Sequence, residues 1–245
     1  MSATSVLLVH GLGSTFENNW VRPGWVDVLE AEGLAPRPVR LPGHGGAPLE
    51  TPGAASPAGA AAAAVLAAAD DAAGDAAGDA ADDAAGGKPD GVAAAGFSAG
   101  AVALLAAAAA APDHFSRIAL LGIGDHVLAP APESVRPLVA ALRGPAEPEA
   151  VRERTFWRLV ERSGNDRLRV ADFLESAALG VDPALLGGVR CPVLVVVGDR
   201  DEAMPADRLV AALPDARLRV LPGVDHFATV SALAAFDVVA HFLAA

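Results

Sequence analysis

Three stretches of this chain carry residue types able to run acyl chemistry, and they lie far apart. "GFSAG", residues 96–100, sets Ser98 between two glycines, with an apolar run before it and another after it. "GDRDEAMP", residues 198–205, offers two carboxylates, Asp199 and Asp201, and "LPGVDHF", residues 221–227, offers His226. A serine hydroxyl is a weak nucleophile until a base takes its proton. A histidine can be that base, and a carboxylate on its other nitrogen fixes the tautomer and stabilises the imidazolium. Serine, acid and histidine together can attack a carbonyl carbon and later release the acyl group. With neutral His226 as the base, kcat/KM rises with pH as the imidazole loses its proton. The other histidines fit other tasks. His10 and His44 sit in glycine-rich turns and read as structural, His114 and His241 as surface or helix-end residues, and His126 as a polar residue bordering the site.

These residues make a site only if strands and turns carry them to one edge. Val92–Phe97 reads as a buried strand and Ala99–Ala111 as a helix, so Ser98 falls in a sharp strand-to-helix turn. Such a turn leaves no room for side chains at Gly96 and Gly100 and lifts the hydroxyl above the sheet. The backbone N–H of Ala99, at the positive end of the helix, then faces any developing oxyanion. Further strands are expected at Ser5–Val9, Pro36–Leu41, Arg117–Ile123, Val193–Val197 and Leu218–Leu221. Helices are expected at Trp25–Ala31, from Ser56-Pro57 to about Asp71, at Pro205–Leu213 and at Thr229–Phe242. This alternation predicts an α/β fold: a mostly parallel sheet of at least six strands, flanked by helices on both faces. Residues 125–187 break the rhythm with helical segments at Glu133–Leu142, Pro148–Glu161 and Val170–Leu179. They read as a helical cap inserted after the fourth strand, over the edge where open α/β sheets bind ligands. The expected division is a core of residues 1–124 and 188–245 and a cap of 125–187. The repeat "DAAGDAAGDAAD" reads as a low-complexity surface extension, because each glycine weakens a helix by about 1 kcal/mol relative to alanine.

Composition narrows the partners. A chain of 245 residues fits one large α/β domain or two small ones, and with formal net charge −12 it lacks the basic surface that nucleic acid or anionic membranes require. Gly91 to Ala111 has no charge over 21 residues, but alanine adds little apolar area and the GFSAG turn interrupts it, so no membrane insertion is expected. The acidic run from Asp70 to Asp83 lacks the other side-chain acceptors of a calcium loop and reads as a solvated segment, with no metal site. Cys191, the only cysteine, reads as a small buried residue before a strand. With no charged start leading into a long apolar run, the expected location is cytoplasmic.

Five segments, in order and at predicted strand ends, resemble those of the α/β-hydrolase superfamily in its compact form with a short helical cap. "HGLGS" resembles the oxyanion loop, "LPGHG" the turn that follows the second strand, and "GFSAG" the nucleophile elbow. "VLVVVGDRDEAMP" resembles the segment bearing the acid and "DHF" the segment bearing the base. The resemblance spans nearly the whole chain. It implies Ser98 as nucleophile, Asp201 as acid and His226 as base, with the backbone N–H groups of Leu12 and Ala99 as the oxyanion hole. Asp125 and Asp199 stay open as alternatives for the acid. The implied activity is hydrolysis of a carboxylic ester, thioester or lactone, with a small-molecule acyl substrate and no metal or organic cofactor. The same three residues also serve C–C cleavage, lyase or cyclase steps and acyl transfer, as in a biosynthetic thioesterase, and the fold also has non-catalytic ligand binders. Ser98 in place of an aspartate, and the absence of tyrosine, point away from epoxide hydrolase and haloalkane dehalogenase chemistry. Trp20, Phe97, His126, Phe156, Trp157 and Phe173 are the substrate-pocket candidates.

Overall fold

The structure is a computed structural model and describes residues 4–54, 59–79, 91–130, 132–177 and 179–245. Six apolar, β-rich runs form strands: β1 Thr4–Val9, β2 Leu34–Val39, β3 Val92–Phe97, β4 Phe115–Leu121, β5 Val193–Gly198 and β6 Ala216–Leu221. All pair in parallel, in the order β2-β1-β3-β4-β5-β6. The core β-strands β1, β3, β4 and β5 are near-continuous hydrophobic runs because helices cover both of their faces. Alternate residues feed two cores. Leu7, Val9, Val92, Ala94, Val193 and Val195 face one side, and Val6, Leu8, Ala93, Ala95, Leu194 and Val196 face the other.

On the first side lie α2 (Ala60–Asp79) and α3 (Ala99–Ala110); on the second lie α1 (Trp25–Ala31) and α9 (Leu233–Ala244). Between β4 and β5 come α4 (Arg136–Arg143), α5 (Val151–Arg162), α6 (Arg167–Ser176) and the short α7 (Pro183–Leu186). The first three close around their own apolar cluster of Leu138, Val139, Leu142, Val160, Val170, Ala171 and Leu174 and form the inserted cap. The short α8 (Asp207–Ala211) links β5 to β6.

Several boundaries depart from the sequence reading: β4 lies two residues earlier than Arg117–Ile123, and α9 begins at Leu233 rather than Thr229, after a separate helical turn at Phe227–Ser231. β2 lies two residues earlier than Pro36–Leu41. It is an edge strand paired only with β1, so Pro36 and Pro38 can sit in it with their missing N–H groups costing no ladder bond. The helix expected to stop near Asp71 runs on to Asp79. Alanine's helix preference offsets Gly74, Ala72 is buried on the core, and Asp75 pairs with Arg37 at 2.6 Å. The Ser56-Pro57 start and the last part of the Asp/Ala/Gly repeat lie outside the described residues. Among the described residues no helix is long and apolar enough to cross a membrane. Cys191 is buried just before β5, where burial raises its thiol pKa to about 11 and leaves it inert.

Candidate active site

The strand order creates the crevice. From β1 the chain steps outward to β2 and then returns to the other side of β1 at β3. The loops after β1 and β3 therefore leave the sheet in opposite directions, and their carboxyl ends open a switch point. The first loop is His10–Ser14 and the second is the turn at Ser98. Ser98 has φ 52° and ψ −120°, the only positive φ outside glycine among the described residues. A conformation of this kind costs about 1–3 kcal/mol and persists only where the surroundings over-determine it. Here they do. The Ser98 N–H is held by the Leu121 carbonyl at 2.8 Å. A Cβ on Gly96 would stand 2.6 Å from the Gly100 carbonyl oxygen, and one on Gly100 would run into the carbonyls of His10 and Val9.

The turns after β5 and β6 bring the other two groups to this point. Ser98 Oγ donates to His226 Nε2 at 3.1 Å, and His226 Nδ1 donates to Asp201 Oδ2 at 3.0 Å and Oδ1 at 3.1 Å. The Asp201 side chain is 0% exposed, and its Oδ1 also accepts the Ala203 N–H at 2.8 Å. The imidazole is boxed by aromatic rings, Phe97 at 5.0 Å and Phe227 edge-on at 5.5 Å between centroids. The alternative acids point elsewhere. Asp199 accepts the Gly223 N–H at 2.7 Å, and Asp125 accepts the Leu209 N–H at 2.9 Å at the start of α8. Asp225, next to His226, accepts the Ala228 N–H and caps the turn that follows. The arrangement can deprotonate a hydroxyl and return the proton to a group leaving the same carbon.

The loop beside Ser98 presents a free donor. Gly11 N–H bonds Asn19 Oδ1 at 2.9 Å, Gly13 N–H bonds His44 Nε2 at 2.9 Å, and Ser14 N–H bonds the Gly11 carbonyl at 3.2 Å. Between them, the Leu12 N–H has no acceptor among the described residues, and neither does the Ala99 N–H across the crevice. Two unpaired amides flanking a serine hydroxyl suit a developing negative oxygen. His10 braces the same loop: its Nδ1 donates to the Gly11 carbonyl at 2.9 Å and its Nε2 accepts the Leu41 N–H at 3.2 Å. Asn165, from the cap, donates to the carbonyls of Gly13 and Ser14. Asn19 and Asn165 escaped the sequence reading because no local pattern marks an asparagine whose partner is set only by folding.

Burial lowers the pKa of His10 to about 3, with His44 nearby adding to the effect, and burial lowers that of His44 to about 4. Both must stay neutral, since each uses one ring nitrogen as an acceptor. The unfolded chain takes up these protons near the ordinary value of 6.5, so stability is full above pH 6.5 and falls as the pH drops toward 3–4. Chemical denaturation across that window should show this loss, and His44→Gln should flatten it. An unchanged slope in His44→Gln would show that His44 does not contribute.

Ser98 stands at the junction of two chambers. The larger, about 1170 Å³, is lined by Val102, Ile123, His126, Val139 and Leu174. The smaller, about 340 Å³, is lined by Phe97, Phe156, Leu159, Phe227 and Val230. Leu12, Ser98 and His226 border both, and Ala99 borders the larger. Of the six pocket candidates, Phe97, His126 and Phe156 line a chamber and three do not. Trp20 lies wholly buried in the core beneath α1, edge-on to Trp25 at 5.6 Å, because the short helical turn Glu17–Val21 aims Asn19 at the loop and Trp20 inward. Trp157, one helix position on from Phe156, packs in the cap with the Arg167 guanidinium 5.1 Å over its ring. Phe173 is in the core, edge-on to His44 at 5.2 Å.

Comparison with known proteins agrees with this fold. The family model described as "Alpha/beta hydrolase family" matches residues 6–240. Among curated proteins no relative is detected by sequence. Among solved structures, MenH from S. aureus superposes with TM-score 0.72 at 13% identity, covering 99% of this chain and 94% of that one. The enol-lactonase from Burkholderia xenovorans LB400 gives 0.69 at 20% identity, covering 100% and 93%. The 2-hydroxy-6-oxo-6-phenylhexa-2,4-dienoate hydrolase from Rhodococcus sp. strain RHA1 gives 0.62 at 22% identity, covering 97% and 89%.

Proposed function

The chain belongs to the alpha/beta hydrolase family, and on that premise we propose that it is a serine hydrolase cleaving a carboxylic ester, thioester or lactone. The observation that carries this reading is the hydrogen-bonded run from Ser98 through His226 to Asp201, set beside two unpaired amides at the junction of two mainly apolar chambers, the larger of which also has Arg136, Arg143, Arg152 and Glu175 in its lining.

His226 takes the Ser98 proton as Oγ attacks the carbonyl carbon. Negative charge collects on the carbonyl oxygen and is held by the N–H groups of Leu12 and Ala99; such a donor is worth about 3 kcal/mol of transition-state stabilisation. Asp201 keeps the Nδ1 proton in place and stabilises the charged imidazole. His226 then passes its proton to the leaving oxygen or sulfur, and the acyl group remains on Ser98. A water entering the same position gives its proton to His226 and attacks the acyl carbon; His226 passes that proton to Ser98 Oγ as it leaves, which frees the acid and restores the starting state. Attack occurs where the chambers meet, so each can hold one arm of the substrate. The apolar lining favours small to medium apolar acyl groups.

A series of p-nitrophenyl esters from acetate to laurate tests this preference. The expected kcat/KM climbs from acetate to a maximum at medium chain length and then falls. A flat profile would remove the apolar acyl pocket, and no turnover of any ester would remove the esterase reading.

A further inference from the structure

The oxyanion loop is held from the cap as well as from the core. Asn165 lies in the loop between α5 and α6 and is only 8% exposed. Its side-chain amide is fully engaged with main chain outside the cap. Nδ2 donates to the Gly13 carbonyl at 3.1 Å and the Ser14 carbonyl at 3.0 Å, and Oδ1 accepts the Gly45 N–H at 2.8 Å. One side chain thus ties together the loop after β1, the loop after β2 and the entry to α6.

The carbonyls it grips directly follow Leu12. The neighbouring amides of Gly11 and Gly13 are fixed by Asn19 and His44 from the core, while the carbonyl side of the same turn is fixed from the cap. Nearby ties follow the same seam: Asn18 Nδ2 donates to Ser163 Oγ at 2.9 Å, and Arg169 donates to the Ala47 carbonyl at 3.1 Å. The Leu12 side chain itself packs against the cap cluster. The two cap helices that flank Asn165 also line the chambers, α5 through Phe156 and Leu159, α6 through Leu174. The part of the cap that meets substrate is therefore continuous with the part that sets the turn.

We infer that Asn165 is a positioning residue for the oxyanion hole: it fixes the direction of the Leu12 N–H from the cap. The inference rests on the serine hydrolase reading. Its consequence is that the cap contributes to the chemical step as well as to substrate binding. Asn165→Asp keeps the size and the acceptor for Gly45 but turns a carboxylate toward two carbonyl oxygens. Asn165→Ala removes all three bonds without adding charge. Asn18→Ala breaks a neighbouring cap-to-loop bond that does not touch the Gly13 or Ser14 carbonyls.

The experiment measures kcat and KM on one p-nitrophenyl ester, normalised by active-site titration. It also measures inhibition by a trifluoromethyl ketone, which forms an oxyanion on Ser98, and by the product acid, which does not. In Asn165→Asp kcat should fall about 100-fold and in Asn165→Ala about 10-fold, with KM within about twofold, because small displacements of a catalytic donor cost rate rather than binding. The ketone Ki should rise by the same factor as kcat/KM falls, the product Ki should hold, and Asn18→Ala should stay within about twofold of wild type throughout. If Asn165→Asp does not fold, Asn165→Ala carries the same readouts. Asn165 variants that lose thermal stability but keep kcat and the ketone Ki would overturn the positioning role. Turnover surviving in Ser98→Ala would instead overturn the serine hydrolase reading beneath it.

Discussion

Ser98→Ala is expected to lower kcat/KM by about 10⁵- to 10⁶-fold, because in the proposed mechanism nucleophile, base and acid act as one unit and the binding site alone leaves little catalysis. The fold should survive, since among the described residues Oγ bonds only His226 and the turn is held by Leu121 and the glycines around it. Ser98→Gly should be as inactive and more stable than wild type. Glycine relieves the backbone strain at φ 52°, a cost of about 1–3 kcal/mol, against about 0.4–1 kcal/mol lost to a more flexible unfolded chain. A net gain near 1 kcal/mol corresponds to a rise of about 2–4 °C in Tm for a chain of this length. Activity surviving in either variant, measured on protein free of wild type, would show that another group attacks the substrate. A Ser98→Gly variant that melts below wild type would show that the elbow stores no strain.

Asp201→Asn should cost about 10⁴-fold in kcat, with KM little changed. The physical reason is the tautomer. The new amide keeps an oxygen for the Ala203 N–H, so its NH₂ faces His226 Nδ1. Nδ1 then accepts, the ring proton moves to Nε2, and the imidazole can no longer take the Ser98 proton. Asp199→Asn and Asp125→Asn should stay within about tenfold of wild type, because their carboxylates serve the Gly223 and Leu209 amides instead. A large loss in Asp125→Asn, paired with a small one in Asp201→Asn, would reassign the acid.

The parts of this molecule that could be read in its sequence are those whose physics is local. The elbow is one: a strand, two glycines that cannot carry a Cβ and a helix of small residues all fall within a short stretch, and the observed β3 bounds, Val92–Phe97, are those expected. Parallel strands buried on both faces are another, since they leave unbroken apolar runs. What failed depended on partners distant in the chain. Trp20 is a pocket candidate by sequence, but Trp25 and Phe236, from α1 and α9, share a core with it. Residue type marks Trp157 and Phe173 as pocket candidates, yet helix phase decides which face meets the chamber, and of the neighbours Phe156 and Trp157 only Phe156 does. Asn165 meets its two carbonyls across more than 150 residues, and no spacing rule reaches that far. The glycines of the repeat point to an end of α2 near Asp71, and a buried Ala72 and the Arg37–Asp75 pair carry it on to Asp79.

Labelling with a fluorophosphonate, read by intact mass and then by peptide mapping, tests the central claim most directly. The account predicts one adduct per chain, on Ser98, and none in Ser98→Ala. Folded protein that stays unlabelled, or an adduct that maps to another residue, would contradict it.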